Sequence, residues 1–564
     1  MDKRWVYKTE PKATDIEALS KSLNINPFLS KILIQRGIDS FDKAKTFFRP
    51  DIGTLHDPFL MKNMDKAVNR LTDAIFNHEK ILLYGDYDVD GTTSVSLLYL
   101  FLKQFSDNLE FYVPDRYTEG YGISRKGIQY AAKENFDLII ALDVGIRAND
   151  RAKEAKAASI DLIICDHHLP GDEIPDALAV LDPKQVDCPY PFKELSGCGV
   201  GLKLLEGFCQ QNTIEKTRLF EFLDLLAVSI ASDIVPIVGE NRVLAFYGVR
   251  KLNQSPTAGL KSLIEISGRK HPLTITDVVF AIGPRINAAG RIAHAKESVK
   301  LLIGDEDREL KDAKVLNERN VERKEHDQQI TAEAIEMIDA TPEEKHSTVL
   351  YKEDWHKGVV GIVASRCIEY RYRPTIILTE SKGKATGSAR SIHGFDIHEA
   401  ISQCSDLLDN FGGHTHAAGM TLPIENISPF QERFEAIAKQ EIPAELLIPK
   451  LEIDTELDLS FANFKSLSIL NQMEPFGPHN LSPVFSTKGV TLKSRPKLLK
   501  EKHLKGFVYS GTKVGYEFIG FGLGHYFEHL EVGQPFSIAY HIETNEFLGN
   551  KTLILNIKDI QFDA

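Results

Sequence analysis

Between residues 64 and 168 the chain alternates short, wholly apolar runs with longer segments whose apolar residues recur every three or four positions. "KILLYG", "LEFYVP", "DLIIALDVG" and "DLIICDHH" have the length and aliphatic content of strands. "MDKAVNRLTDAIFN", "TTSVSLLYLFLKQF", "SRKGIQYAAKEN" and "NDRAKEAKAAS" have the period of helices. Strands apolar on both faces and separated by helices predict βαβ units around a buried parallel sheet. Farther on, the highly charged segment 306–345 carries sparse apolar residues at helical spacing, which predicts a long solvated helix joining two domains. "HSTVLYKED" and "RPTIILTE" then open a second, smaller α/β domain. Beyond residue 446, short β-rich runs such as "PVFSTKGVTL" and "QPFSIAYHIE" with frequent turn signals predict an antiparallel β-barrel. The expected organisation is an N-terminal arm at 1–60, an α/β domain at 61–305, a linker helix at 306–345, an α/β domain at 346–445 and a barrel at 446–564.

Composition alters this picture only at its edges. A chain of 564 residues with 43% hydrophobic and 26% charged residues is globular and needs several cores. A net charge of −13 excludes a generally basic, histone-like nucleic-acid binder while leaving room for a local basic groove. The six cysteines lack CxxC or Cys/His spacing, which fits a reducing compartment and excludes a zinc ribbon. The N-terminus has no signal-like apolar region and no apolar run reaches bilayer-spanning length. A soluble, cytoplasmic protein with no membrane partner is expected, and nothing demands more than a monomer.

The chemistry gathers where the strands end. "GDYDVDG" supplies Asp86, Asp88 and Asp90, "ALDVG" supplies Asp143, "DHH" supplies Asp166, His167 and His168, and "ASDIVP" supplies Asp233. In parallel sheets, functional groups meet beyond the carboxyl ends of the strands. A single such Asp is most often a helix cap or turn residue. The set is oxygen-rich with imidazole, which suits Mn²⁺ or Mg²⁺ better than a thiolate zinc site. Three neighbouring carboxylates repel one another unless cations sit between them. Two cations about 3.5–4 Å apart clamp the attacking and leaving oxygens of a phosphoryl centre, so a phosphoester or phosphoanhydride substrate is expected.

Other segments suit phosphate and nucleic-acid contacts. Arg285 and Arg291 flank "INAAG", whose small residues would admit a nucleic-acid backbone; the competing role for the arginines is a surface salt bridge. "GSARS" and "GGHTHAAG" combine Gly, hydroxyl, Arg and His in a manner suited to phosphate. Trp355 and His356 of "WHKG" either stack on a base or pack the fold. Arg495, Lys497, Lys500, Lys502 and Lys505 with Phe507 and Tyr509 form a basic and aromatic mixture of the kind that tracks single strands, or else a solvated edge strand.

"GDYDVDG", "ALDVG", "DHH" and "ASDIVP" resemble, in order and separation, the four motifs of the DHH phosphoesterase superfamily. "LSGCGVGLKL", "GPRINAAGR", "WHKGVVGIVASR", "GSARS", "GGHTHAAG" and "EPFGPHN" are similar to its bacterial single-stranded-DNA exonuclease branch, and the resemblance covers essentially all of the chain after the arm. It implies a parallel-sheet DHH domain, a DHHA1-like second domain and an OB-like barrel. It further implies 5′→3′ degradation of single-stranded DNA to 5′-mononucleotides with two divalent cations, in repair and recombination, alongside a helicase and a single-strand-binding protein. By motif match, Asp86, Asp88, Asp90, Asp143, His167 and Asp233 would be metal ligands, with Asp143 bridging. His168 would lie behind the ligands or donate a proton near the scissile phosphate, and Asp166 would orient a histidine. Tyr84 stands where many members carry His, so Asp86 is expected to supply that coordination. Arg116, Ser388 and Arg390 would recognise a 5′-phosphate, and His414 a phosphate near the metals. A small-substrate member, cleaving oligoribonucleotides, cyclic dinucleotides or phosphoadenosine phosphate, is disfavoured by the arm and the β-rich tail. A catalytically dead scaffold is disfavoured because every motif carboxylate and the histidine are retained.

Overall fold

A computed structural model describes residues 3–304, 309–342, 344–511, 514–547 and 549–562. The chain forms two compact units: Phe48–Arg323 with Glu474–Leu481, and Met1–Phe47 with Lys324–Met473 and Ser482–Ala564.

The first unit is built on a five-stranded parallel sheet in the order Leu109–Tyr112, Ile81–Gly85, Leu138–Leu142, Asp161–Cys165, Ala179–Leu181. Four strands match the sequence pattern, whereas the three-residue Ala179–Leu181 is too short to show a period and was not expected. Alternate residues serve opposite faces. Leu83, Ile140 and Ile163 pack under helices Met64–Phe76, Val89–Leu102 and Gly197–Gln211. Leu82, Tyr84, Ile139 and Ile164 face the side covered by Arg125–Lys133 and Asn149–Ala157. Register then does the positioning. Gly85 pairs with Leu142, Leu142 with Cys165 and Cys165 with Leu181, so the next residues, Asp86, Asp143, Asp166 and Asp182, all leave the sheet at one edge.

The helix after the first acidic motif begins at Val89 and not at Thr92, as its apolar period suggested. Asp88 is its N-cap, accepting the Gly91 N–H at 3.0 Å, and this draws Asp90 into the first turn. Gly91 is required there, because a Cβ would lie 2.5 Å from the backbone N and O of Asp86. The helix Gly197–Gln211 is anchored by Lys203, which is fully buried and paired with Glu206 at 2.7 Å and Glu240 at 2.9 Å.

Two expected boundaries shift. Residues up to 47 belong to the second unit, where Arg4–Tyr7 pairs in parallel with Lys450–Ile453, Trp5 donates to Asp559 at 2.7 Å, and Lys8 and Arg36 pair with Asp454. "EPFGPHN" (474–480) belongs to the first unit, where Arg242 donates to the Glu474 carbonyl at 3.1 Å and the Ile237 N–H to Pro478 at 2.8 Å. Both segments are tied by contacts distant in sequence, which composition cannot register.

The expected linker is the helix Glu309–Asp339; residues 306–308 and 343 of that expectation lie outside the described residues. The smaller α/β domain has a five-stranded mixed sheet in which Thr348–Tyr351 runs parallel to Thr375–Ser381 and the strands Lys384–Arg390, Ala417–Leu422 and Asn410–His414 follow antiparallel. The barrel closes through Phe485–Leu492, Phe536–Phe547, Asn550–Gln561, Val514–Gly520 and His503–Ser510, the last pairing back to the first. Its one departure from an antiparallel ring is the parallel pairing of Val514–Gly520 with Asn550–Gln561. Among the described residues, no helix is long and apolar enough to cross a membrane.

Candidate metal centre

Three groups of donors converge at the sheet edge, each with its ligand atoms within 4.8 Å of one another: Asp86, Asp88 and Asp143; Asp90, His167 and Asp233; and Asp143, His167 and His168. His167 Nε2 lies 3.2 Å from Asp143 Oδ1, 3.5 Å from Asp233 Oδ2 and 3.8 Å from Asp90 Oδ2. Asp143 and His167 therefore link the first two groups.

The electrostatics are those of a cation site. Burial, then the neighbouring carboxylates, hold Asp86, Asp143 and Asp233 well above the usual carboxylate range, and Asp88 is raised for the same reasons. Burial lowers His167 to about 4, which leaves its imidazole neutral and able to ligate. Asp86 Oδ1, Asp143 Oδ1 and both ring nitrogens of His167 are buried without a hydrogen-bond partner. Unpartnered buried polar atoms are costly, and four in one cluster of this donor chemistry fit hard divalent cations. Backbone strain marks the same place. Asp143 has φ +62° and Ile234, directly after Asp233, has φ +60°, a conformation that a β-branched residue rarely adopts.

The motif residues divide into different tasks. Asp166 accepts the Ile146 N–H on Oδ2 at 2.8 Å, and on Oδ1 the His167 N–H at 2.8 Å and His168 Nδ1 at 2.7 Å. Burial alone would raise Asp166, but the His168 hydrogen bond and charge bring it down to about 2. Burial likewise opposes the charge on His168, yet the bond to Asp166 and the surrounding carboxylates carry it up to about 9. His168 Nε2 is left facing the Tyr121 hydroxyl at 3.2 Å. Tyr84 offers no free ligand atom: its hydroxyl accepts the Ser124 N–H at 2.9 Å and donates to Gly122 O at 3.2 Å.

The more distant expectations fare unevenly. Arg116 lies over the Tyr87 ring at 4.9 Å and its charge reaches Asp86. Arg285 is committed to Asn317 and the Ala281 carbonyl, and the Arg291 carbonyl accepts from the Tyr117 hydroxyl. Ala288, Ala289 and Gly290 are buried, and a Cβ on Gly290 would lie 2.7 Å from Tyr87 O, so the small residues of "INAAG" admit protein backbone and not nucleic acid. In the second unit, Ser388 and Arg390 flank the first turn of helix Val360–Tyr370, where a Cβ on Gly361 would lie 3.0 Å from Arg390 Nη2 and 3.3 Å from Ser388 Oγ. His414 is exposed on its strand. Trp355 is 4% exposed with its indole N–H on Glu333 at 2.8 Å, so it packs the core and does not stack on a base. His356 stacks on His326 at 4.9 Å. On the barrel, Lys493 lies over Phe507, Phe507 adjoins Tyr509 at 5.1 Å, Lys497 and Lys505 are cross-strand partners, and Arg495 pairs with Glu528; Lys500 and Lys502 are exposed.

Sequence reasoning passed over Tyr121, Ser229 and Lys184, whose charge helps lower His167 and Asp233. Only "LSGCGVG", with Ser before a glycine-rich helix start, carried a local signal for any of this surrounding structure.

The chain matches known domain families segment by segment. Residues 80–230 match the profile described as DHH family, N-terminal domain, 344–440 the DHHA1 domain and 453–559 the RecJ OB domain. The single-stranded-DNA-specific exonuclease RecJ of Bacillus subtilis is 37% identical over 99% of this chain and 70% of its own length. The protein of that name from Salmonella typhimurium is 32% identical over 95% of this chain and 96% of its own length. The crystal structure of RecJ from Thermus thermophilus in complex with Mn²⁺ superposes with a TM-score of 0.86 at 25% identity, covering 100% of this chain and 80% of that one. A structure of exonuclease RecJ bound to manganese matches at 30% identity and a TM-score of 0.60, over 68% of this chain and 96% of that one. With the three domains in this order and near full-length identity above 30% to proteins of one kind, the chain belongs to the RecJ family of the DHH superfamily.

Proposed function

We propose that this chain hydrolyses single-stranded DNA from the 5′ end, releasing 5′-mononucleotides with two divalent cations, Mn²⁺ or Mg²⁺, in DNA repair and recombination. One observation carries the reading: two donor groups linked by Asp143 and His167 meet at one sheet edge with four buried donor atoms unpartnered, in a member of the RecJ family. Asp90, His167 and Asp233 would hold one cation and Asp86 and Asp88 the other, with Asp143 available to both. Cations bound there supply Lewis-acid polarisation of the scissile phosphate and neutralise its developing charge.

The chain's own groups do the rest. His168 carries its available proton on Nε2, because Nδ1 is engaged by Asp166, and gives it to the 3′-oxygen of the departing nucleotide. Arg116 in the first unit offers a bidentate fork to phosphate, and in the second unit Ser388 and Arg390, with His414, offer phosphate contacts of their own, the 5′-phosphate being the group they suit. Arg291 adds positive charge near the first acidic motif, where it reaches Tyr87. On the barrel, Phe507 and Tyr509 stack bases while Lys497 and Lys505 meet phosphates. Such a reaction needs its substrate opened and kept single, so a helicase and a single-strand-binding protein are the partner classes it calls for.

End-labelled single strands of both polarities, incubated with EDTA, Mg²⁺ or Mn²⁺, test the reading. The expected result is metal-dependent release of 5′-mononucleotides from a 5′-phosphorylated strand. Equal activity on a blunt duplex, or loss from the 3′ end, would overturn it.

A further inference from the structure

We infer that Ser229 and the turn Ser196–Cys198 are positioning residues that hold Asp90 and Asp143 at a fixed separation, and so set the spacing of the two donor groups. The inference rests on the two-cation reading above and adds residues to which that reading gives no role.

Asp90 is 1% exposed and accepts three hydrogen bonds: on Oδ2 from the Gly197 N–H at 2.7 Å, and on Oδ1 from the Cys198 N–H at 2.9 Å and the Ser229 hydroxyl at 2.8 Å. Ser229 Oγ also lies 2.7 Å from Ser196 Oγ, which accepts the Gly199 N–H at 3.1 Å. Ser229 gives its one hydroxyl hydrogen to Asp90 Oδ1, so Ser196 must donate to Ser229. A directed chain of two hydroxyls therefore ends on the carboxylate, which also sits at the positive end of helix Gly197–Gln211.

The same turn grips the second donor group by contact. A Cβ on Gly197 would lie 2.5 Å from Asp143 Cβ and 2.7 Å from its Oδ1, so only a bare Cα lets the helix start press against Asp143. That residue is held at φ +62°, a conformation that persists only when its surroundings impose it. The two carboxylates are consequently left in different states. Asp143 presents a buried Oδ1 that accepts no hydrogen bond and faces His167 Nε2 at 3.2 Å, whereas three of the roughly four acceptor positions on Asp90 are filled. Asp90 is thereby restricted to a single free position on Oδ2, the oxygen that faces His167 Nε2 at 3.8 Å.

The test uses the full chain with Ser229→Ala, Ser229→Cys, Ser229→Thr and Gly197→Ala. Mn²⁺ binding is followed by electron paramagnetic resonance without DNA, and kcat and KM are measured across a Mn²⁺ titration. Groups that orient metal ligands typically contribute about 10–100-fold to metal affinity. Ser229→Ala and Ser229→Cys should each weaken Mn²⁺ binding by about 10-fold or more, with KM for DNA unchanged and kcat largely recovered at saturating Mn²⁺. Ser229→Thr, which keeps the hydroxyl, should bind within about 3-fold of the parent. Gly197→Ala should disturb Asp143 and weaken binding further. Parent-like Mn²⁺ affinity in Ser229→Cys, which preserves size but donates weakly, would overturn the inference, as would equal weakening in Ser229→Thr. Failure of the parent itself to bind Mn²⁺ would overturn the two-cation reading and this inference with it.

Discussion

The sheet edge of the first unit and the basic face of the barrel are both assembled from charged residues, yet they are built on opposite physical terms. At the sheet edge, Asp86, Asp143 and His167 are buried, partnerless on key atoms and held in part by strained backbone. On the barrel, Arg495 and Lys505 are solvated and already paired with Glu528 and Glu517. The first arrangement costs folding free energy and is relieved by a cation. The second costs almost nothing, because exposed ion pairs are worth little and are easily exchanged for phosphate. Chemistry at a fixed point needs the first kind of site, whereas holding a strand of any sequence needs only the second.

The largest effect that would sharpen this contrast is at Asp143. Asp143→Asn should reduce hydrolysis by about 10³-fold or more if, as proposed, its carboxylate serves both cations. It should also stabilise the metal-free protein near neutral pH, since a carboxylate held above its usual range by burial and like charge is destabilising when ionised. Thermal denaturation in EDTA checks the second half, and a less stable variant would break the contrast. The parent protein should gain about 2.7 kcal/mol when Mn²⁺ reaches about 100 times its dissociation constant, seen as a rise in Tm.

Next comes Asp166→Asn, expected to reduce kcat by about 10–100-fold. The folded pKa of His168 is raised from 6.5 to about 9, so the stabilisation it gains is fully present below 6.5 and is lost as pH rises through about 9. Asp166, brought down to about 2, stays ionised throughout that window. Removing its charge should shift the alkaline limb of the kcat/KM profile from near 9 toward 6.5. An unmoved limb would mean that His168 carries no proton in the reaction.

Smaller effects belong to the barrel. Phe507→Ala should weaken single-strand binding by about 1–3 kcal/mol, as for a lost stacking platform, with kcat at saturating DNA unchanged. Arg495→Ala should change affinity by less than about 1 kcal/mol and only at low salt. Fluorescence anisotropy over a salt series measures both, and a large, salt-independent loss at Arg495 would place the barrel among sites of the first kind.

Much of this was legible in the residues. Apolar runs at 81–85, 138–142 and 161–165 each stop at an acidic or imidazole-bearing turn, and buried parallel strands have no other composition open to them. Tyr84 shows the limit: its hydroxyl is engaged by the Ser124 N–H and the Gly122 carbonyl, distant in sequence, which the motif comparison alone did not reveal. Trp355 shows another, since it is buried among Ile330, Ala334 and Ile338 of a separate helix, whose Glu333 accepts its indole N–H.

By itself, then, the sequence determined the donor set, the parallel sheet and the closed barrel, because apolar periodicity and turn chemistry act over a few residues. Tertiary structure alone decided which carboxylate oxygens are bare and which are held. Asp90 is gripped by Gly197, 107 positions away, while Asp143 lies against the same glycine with its Oδ1 unpartnered. Such differences arise from strand register and helix docking, where an offset of one residue would turn a donor to the other face of the sheet.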